Sequence, residues 1–219
     1  MGLHFSKEEF SNRKEKTLNS MKNEGVDALI MFRQESMYWL TGYDTFGYVF
    51  FQSLILDKNG DTILLTRAPD LRQAQNTSNI EDIRIWVDKD GSNPTDDLKV
   101  ILNELNLKGK KIGVEYEAYG LTGRNALQLN KSLEDFCSIE DKSDLITKLR
   151  VVKSKDEIVY VKKAAELADR ALDEVWRYAK AGVSESKILA EMNKVIFEGG
   201  GDYPANEFII GSGKNALLC

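Results

Sequence analysis

Asn59-Gly60 ends a four-residue turn, Asp57 to Gly60, between two apolar runs, and this pattern predicts a β-hairpin. Around it, short apolar runs alternate with longer segments in which apolar residues recur at helical spacing. Alternation of this kind, with one hairpin, indicates an α/β domain with a mixed sheet flanked by helices. The predicted strands are 26–32, 48–56, 61–66, 83–87, 111–116 and 136–139, and the predicted helices lie between Ser6 and Gly25, from Pro69 to about Gln75, and at 96–107 and 121–133.

The first helix has clear start signals, because Ser6 and Glu9 form a capping-box pattern and Phe5 and Phe10 occupy the positions of a hydrophobic staple. An aromatic segment, 36–43, follows the first strand and leads into a predicted loop at 42–49. Core packing is the favoured interpretation for Trp39 and Phe51, whereas core and pocket or interface remain equal alternatives for the other aromatic residues. Those others are Tyr38, Tyr43, Phe46, Tyr48 and Phe50.

The composition changes near Asp141, and two amphipathic helices follow. The first, 155–180, begins with a second capping box, Ser154 with Glu157; the next is capped by Ser184, and 207–210 is predicted to be a strand. Two helices and one strand cannot bury both helix faces or pair the strand's edges. We therefore predict two domains, 1–143 and an incomplete one at 144–219. The alternative is that these helices pack on the first domain.

Charge and composition exclude several classes of protein. The 219 residues include 30 Lys and Arg against 35 Asp and Glu, a net charge of −5, which argues against binding to nucleic acids or anionic membranes. No apolar run approaches the ~20 residues of a membrane span, and the first residues lack a signal-peptide pattern. Cys137 and Cys219 have no CxxC spacing and fit a reducing compartment, so we expect a cytoplasmic protein.

The residue content offers little for chemistry. The single histidine, His4, lies near the start and is expected to be exposed, so neither a His-rich metal site nor a Ser-His-Asp triad is available. Acidic residues of the long helix are expected on a solvated face, where Glu166 can pair with Arg170 one turn later. Cys137 is expected in the core. The residues alone therefore assign no catalytic residue and no metal ligand.

Several short motifs, in order, resemble the M24 family of creatinase and Xaa-Pro peptidases, the pita-bread metallohydrolases. Residues 150–158 (RVVKSKDEI) resemble the family's R-x-x-K-S-x-x-E-I junction between domains, and 38–43 (YWLTGY) resemble its N-terminal Y-L-T-G-[FY] signature. The other segments that carry the resemblance are 28–30, 163–169, 181–185 and 208–215.

This resemblance implies a creatinase-like N-terminal domain followed by the first helices and strand of an α+β pita-bread catalytic domain. Family members bind two divalent metal ions, such as Mn, Co or Zn, through two Asp, one His and two Glu. By the resemblance, all of these positions lie beyond residue 219. It therefore implies a fragment of a metal-dependent hydrolase of Xaa-Pro dipeptidase or aminopeptidase type, with no catalytic or metal-binding residue in this chain, inactive alone.

The resemblance also implies a homodimer acting on a small molecule or dipeptide, in which the N-terminal domain reaches over the neighbour's active site. Tyr43, Tyr48 and Arg67 are the candidates for substrate-binding or dimer-rim contacts. Within the family, ectoine hydrolase, creatinase-like and dimethylsulfoniopropionate lyase branches remain alternatives. A further alternative is a non-catalytic pseudo-peptidase that serves as an interaction module.

Overall fold

The computed structural model describes residues 2–217 and divides the chain into two compact units, Met1–Val152 and Lys153–Cys219. The first unit contains a six-stranded sheet in the order β4-β3-β2-β1-β5-β6. β1–β2 and β2–β3 are antiparallel pairs and the other neighbours are parallel, so β2 alone runs against the rest. The strands are β1 Ala28–Met31, β2 Ser53–Asp57, β3 Thr62–Arg67, β4 Asp82–Trp86, β5 Lys111–Val114 and β6 Ser138–Asp141.

Helices cover both faces of this sheet, because alternate strand residues point to opposite sides and both sides are apolar. One core cluster joins β1, β2, β3 and β5 to α4 and α5. The other joins β1, β2 and β3 to α1, α2, α3 and α6. The helices are α1 Lys7–Asn23, α2 Gln34–Thr41, α3 Leu71–Thr77, α4 Pro94–Glu104, α5 Gly123–Leu133 and α6 Asp144–Val151.

The predicted α/β fold with a mixed sheet is confirmed, as are the hairpin and the start of α1. β2 and β3 pair antiparallel across the Asn59-Gly60 turn. Ser6 accepts a hydrogen bond from the backbone N–H of Glu9, and the rings of Phe5 and Phe10 meet edge to face at 6.1 Å. The local signals were therefore sufficient wherever a turn or a cap defines the element.

Near the aromatic residues, one predicted strand is wrong in its start, and an aromatic segment with no predicted secondary structure is helical. The predicted strand 48–56 begins only at Ser53, because Gly47–Val49 form a short 3₁₀ helix. The aromatic segment is largely helical: α2 extends to Thr41 and ends at Gly42, whose positive φ of 82° closes the helix. The exposed part of the connection is therefore confined to the residues between Gly42 and β2.

The division between the units falls after Val152, whereas the sequence predicted a boundary at 143/144. The difference is α6, which packs on the first unit through the buried residues Leu145 and Ile146. Its side chains complete the same core cluster to which α1 and α2 contribute. The incompleteness of the second domain is not tested by this division and remains a proposal.

The second unit contains α7, Lys155–Tyr178, α8, Glu185–Glu198, and a short 3₁₀ helix, Gly213–Leu217. Both predicted helix starts are confirmed, since Ser154 and Glu157 form a reciprocal capping box and Ser184 caps α8. The predicted strand at 207–210 is wrong: no segment of this unit, as far as Leu217, is a strand. A strand needs a hydrogen-bonded neighbour, and the described residues of this unit offer none.

Candidate functional site

The connection between α2 and β2 displays apolar side chains on the surface of the first unit. Phe46 is 73 % exposed, and Tyr48, Val49 and Phe50 are exposed as well. We call these four residues the aromatic patch. A group of exposed apolar side chains on one short segment is typical of an interaction surface.

The aromatic patch lies at the carboxyl ends of the parallel strands. It follows α2, which itself follows the end of β1, and its backbone is close to the loop after β5: a Cβ on Gly120 would lie 2.7 Å from the carbonyl oxygen of Tyr48. The neighbouring Tyr119 is 88 % exposed. In open α/β sheets, ligands and partners bind at this end of the strands, which makes the patch the candidate site of this chain.

Arg67 stands at the end of β3 and contacts the patch. Its guanidinium lies 3.5 Å from the centre of the Phe50 ring, a cation–π geometry. It also forms an ion pair with Asp70, with 3.0 Å between Nη2 and Oδ2. Of the three predicted rim residues, Arg67, whose side chain is 14 % exposed, thus contacts Phe50 in the patch to which Tyr48 belongs.

Tyr43 lies elsewhere. Its side chain is completely buried and its hydroxyl donates a hydrogen bond of 2.9 Å to Oε1 of Gln52. Burial raises the pKa of the Tyr43 phenol above its ordinary value of 10.0. A buried ring offers no surface to a partner, so we assign Tyr43 to the core and keep the rim proposal for the other two. Trp39 and Phe51 are buried, as predicted.

A carboxyl group that the sequence analysis did not identify positions the start of α2. Glu115, completely buried just after β5, accepts hydrogen bonds from the backbone N–H groups of Phe32 and Arg33, at 3.1 and 3.0 Å. Its other oxygen accepts from the hydroxyl of Ser36 at 2.6 Å. Burial raises the pKa of Glu115 to about 7, against the opposing effect of these hydrogen bonds and of the Arg33 charge.

Arg33, the N-cap residue of α2, holds the start of the helix through its side chain. Its guanidinium donates to the carbonyl oxygen of Glu117 at 3.0 and 2.7 Å and to the hydroxyl of Thr147, in α6, at 2.6 Å. The start of α2, which leads to the connection between α2 and β2, is therefore held by residues from the loop after β5 and from α6. No local sequence signal marks these long-range contacts.

The remaining candidate groups do not form a reactive site. His4 is exposed, as predicted, and its Nδ1 hydrogen-bonds the Tyr38 hydroxyl at 2.7 Å. Cys137 is half-buried against the core, and burial raises the pKa of its thiol to about 11, so the thiolate is scarce at neutral pH. Cys219 lies outside the described residues.

The acidic residues present do not fit a dinuclear metal centre. Among residues 2–217, no three His, Cys, Asp or Glu side chains come together in a group that could hold a metal ion. We assign no metal-dependent step to these residues.

No helix within residues 2–217 has the length and apolar character required to cross a membrane.

Comparison with known proteins supplies what the geometry leaves open. Residues 13–152, more than half of the chain, match the Creatinase/Prolidase N-terminal domain, and residues 160–219 match metallopeptidase family M24. The chain belongs to the M24 creatinase/prolidase family. The order of the two matches follows the two units of the structure, and the family confirms the resemblance found in the sequence motifs.

Individual relatives agree with this family. The ectoine hydrolase of Halomonas elongata is 26 % identical over 99 % of this chain and 58 % of its own length. The X-Pro aminopeptidase of Thermotoga maritima aligns with a TM-score of 0.69 at 23 % identity, over 85 % of this chain and 49 % of that one. The prolidase of Pyrococcus furiosus gives a TM-score of 0.66 at 20 % identity, over 84 % of this chain and 52 % of that one. The chain thus spans about half the length of the M24 relatives it matches.

Proposed function

We propose that this sequence is the amino-terminal part of a longer M24 hydrolase that cleaves Xaa-Pro dipeptides or related small substrates with two bound divalent metal ions. The observation that carries the proposal is the partial match: M24 similarity begins at residue 160, while the chain spans only 58 % of its ectoine hydrolase relative. The ligands of the metal ions, Mn, Co or Zn, would be supplied by residues after 219. The chain alone would then be inactive.

The surface of α7 supports this proposal. Ala171 is buried. A second apolar stripe, rotated by about 100° around the helix, contains Ile158, Val161, Leu172 and Trp176, all of them exposed. Within the second unit α8 packs against α7, and the exposed stripe offers a further apolar face that residues after 219 would cover.

The decisive experiment is to read the encoding DNA beyond the codon for Cys219. We expect an open reading frame that encodes a His soon afterwards and then two Asp, one His and two Glu in order. The full-length protein would then be purified, its metal content measured, and its hydrolysis of the dipeptide Ala-Pro assayed with added Mn²⁺. A stop codon directly after Cys219 would contradict the proposal and favour a non-catalytic interaction module.

Ectoine hydrolysis is the second candidate activity, because the ectoine hydrolase match extends over 99 % of this chain. The same purified protein would be assayed with ectoine and Ala-Pro in parallel. Hydrolysis of ectoine alone would overturn the Xaa-Pro assignment and keep the metallohydrolase one. The creatinase-like and dimethylsulfoniopropionate lyase branches would be tested with creatine and dimethylsulfoniopropionate in the same way.

We further propose that the protein is a cytoplasmic homodimer in which Tyr48 and Arg67 contact the neighbouring subunit near its substrate. The exposed aromatic patch supports the dimer contact. The free thiol of Cys137 supports the cytoplasmic location, because reducing compartments keep thiols free. The test is Tyr48→Ala in the full-length protein, which should weaken dimerisation in sedimentation experiments or raise KM. Leu127→Ala, which truncates an exposed apolar residue of α5, is the matched control. Equal effects of the two substitutions would argue against the rim role.

A further inference from the structure

Asp70 occupies a nearly buried position beneath the aromatic patch. It closes the 3₁₀ helix Ala68–Asp70, directly after β3, and is only 8 % exposed. Its Oδ2 accepts a hydrogen bond of 3.1 Å from Nε of Arg67, and Nη2 of the same guanidinium lies 3.0 Å from this oxygen in an ion pair. The hydrogen bond and the ion pair together orient the planar guanidinium.

The same carboxylate lies against the backbone of the connection between α2 and β2, at Gly47. A Cβ on Gly47 would be 2.7 Å from Oδ1 of Asp70 and 2.9 Å from both Oδ2 and Cγ. Such distances are too short for any side chain, so the connection reaches Asp70 only because residue 47 has none. Gly47 is buried, and its N–H donates to the hydroxyl of Thr45 at 2.8 Å.

Arg67 transmits the position of Asp70 to the aromatic patch. Its guanidinium is held by Asp70 on one side and covers the ring of Phe50 at 3.5 Å. The segment 47–50 is thus fixed at both ends, by its backbone at Gly47 and by a ring at Phe50. Tyr48 and Val49 lie between these two points and remain exposed.

We propose that Asp70 is the positioning residue of the aromatic patch: it packs against the backbone at Gly47, orients Phe50 through Arg67 and so presents Tyr48 to the partner. This inference rests on the proposed function for the role of the patch in the dimer. Asp70 does not itself touch substrate. Its effect is to keep a short aromatic segment in one conformation before the partner is bound, which lowers the cost of binding.

The first test measures backbone hydrogen exchange in the full-length protein. Asp70→Asn keeps the size of the side chain but removes its charge, and we expect exchange in 44–50 to become about tenfold faster, as expected on losing a hydrogen bond to a charged group. Exchange in α1 should not change. Asp44→Asn, at an exposed acid of the same connection, is the control. Unchanged exchange in Asp70→Asn would overturn the proposal.

The second test is a double-substitution cycle between positions 47 and 70. Gly47→Ala should accelerate exchange in 44–50 in the wild-type background, because the new Cβ would collide with the Asp70 carboxylate. In an Asp70→Ala background, the same substitution should add little, because the obstructing atoms are gone. Equal effects in the two backgrounds would contradict direct contact as the cause.

The third test separates positioning from general stability. With the substrate that the full-length enzyme hydrolyses, Asp70→Asn should raise KM about fivefold and leave kcat unchanged, the signature of weakened binding without altered chemistry. Faster exchange with an unchanged KM would overturn the functional role of Asp70. Failure of the proposed function itself is distinguishable, because the wild-type protein would then be inactive while the exchange experiments still report on Asp70.

Discussion

The carboxyl group of Glu115 and the hydroxyl of Ser36 are joined by a hydrogen bond of 2.6 Å, although 79 residues separate them in the sequence. Glu115 also accepts hydrogen bonds from the backbone N–H groups of Phe32 and Arg33. Because Arg33, at the N-cap position, makes no side-chain cap, these contacts cap α2 in its place. A strand-end carboxylate thus anchors the helix that leads to the aromatic patch.

Glu115→Gln should make the first unit more stable than the wild type above pH 7. Burial raises the pKa of Glu115 from 4.5 to about 7, so the folded state binds its proton more tightly than the unfolded state between these values. The Glu115 contribution to the free energy of unfolding therefore falls as pH rises through this window, by up to about 3 kcal/mol. Gln cannot ionise, yet it still accepts from the backbone and donates to Ser36.

The measurement is urea unfolding at several values between pH 4.5 and 8, followed by tryptophan fluorescence. The difference in free energy of unfolding between Glu115→Gln and the wild type should grow with pH and level off above 7. Glu117→Gln is the control, because that side chain is 81 % exposed. A difference independent of pH would show that Glu115 has an ordinary pKa.

Gly42→Ala should destabilise the first unit for two separable reasons. Gly42 has a φ of 82°, and an added Cβ would lie 2.9 Å from both Leu3 Cδ2 and Thr77 O. Gly25 has a similar φ of 67° with nothing within 4 Å of such a Cβ. Gly25→Ala should therefore cost only the conformational part, about 1 kcal/mol, and Gly42→Ala clearly more. Equal shifts in the thermal midpoint would rule out the steric contribution.

Tyr43→Phe should lower the stability of the first unit by about 1 kcal/mol, because it removes a buried hydroxyl that donates to Gln52 and leaves that acceptor with one partner fewer. Tyr48→Phe, at an exposed position, should change stability by less than about 0.5 kcal/mol. Chemical unfolding of the two variants in parallel distinguishes a core tyrosine from a surface one. A larger loss of stability in Tyr48→Phe than in Tyr43→Phe would contradict the assignment of Tyr43 to the core.

The isolated 219-residue chain should bind a hydrophobic dye through the exposed stripe of α7. The double substitution Leu172→Glu and Trp176→Glu should reduce the dye fluorescence strongly, since both side chains are exposed on this stripe. Leu127→Glu, on the first unit, should reduce it little. Dye fluorescence as low in the wild type as in the double variant would argue that no apolar face of α7 is open to solvent.

The sequence predicted those elements whose signals are local. The hairpin depends on adjacent turn residues at Asn59-Gly60, and the starts of α1, α7 and α8 depend on caps within three residues of the helix. The family, too, was recognisable from short motifs in order. These features require no knowledge of distant contacts.

The elements that escaped prediction depend on distant partners. α2 contains Tyr38, Trp39 and Thr41, residue types of modest helix propensity, and the contacts of Glu115 and packing in the core stabilise it. The strand predicted at 207–210 lacks a pairing partner among the described residues. The sequence proposed Tyr48 and Arg67 as site residues but not Gly47 and Asp70, because the close approach of Gly47 to Asp70 arises only when β3 and the connection after α2 are folded together.

The packing of α6 on the first unit has a consequence for biosynthesis. Because its residues Leu145 and Ile146 complete the core that β1 and α1 share, the first unit contains every element of its own core by Val152. Domains fold as units during synthesis, amino-terminal part first. The first unit can therefore fold while the ribosome is still adding α7. On the proposed function, the exposed stripe of α7 would then stay uncovered until residues after 219 are synthesised.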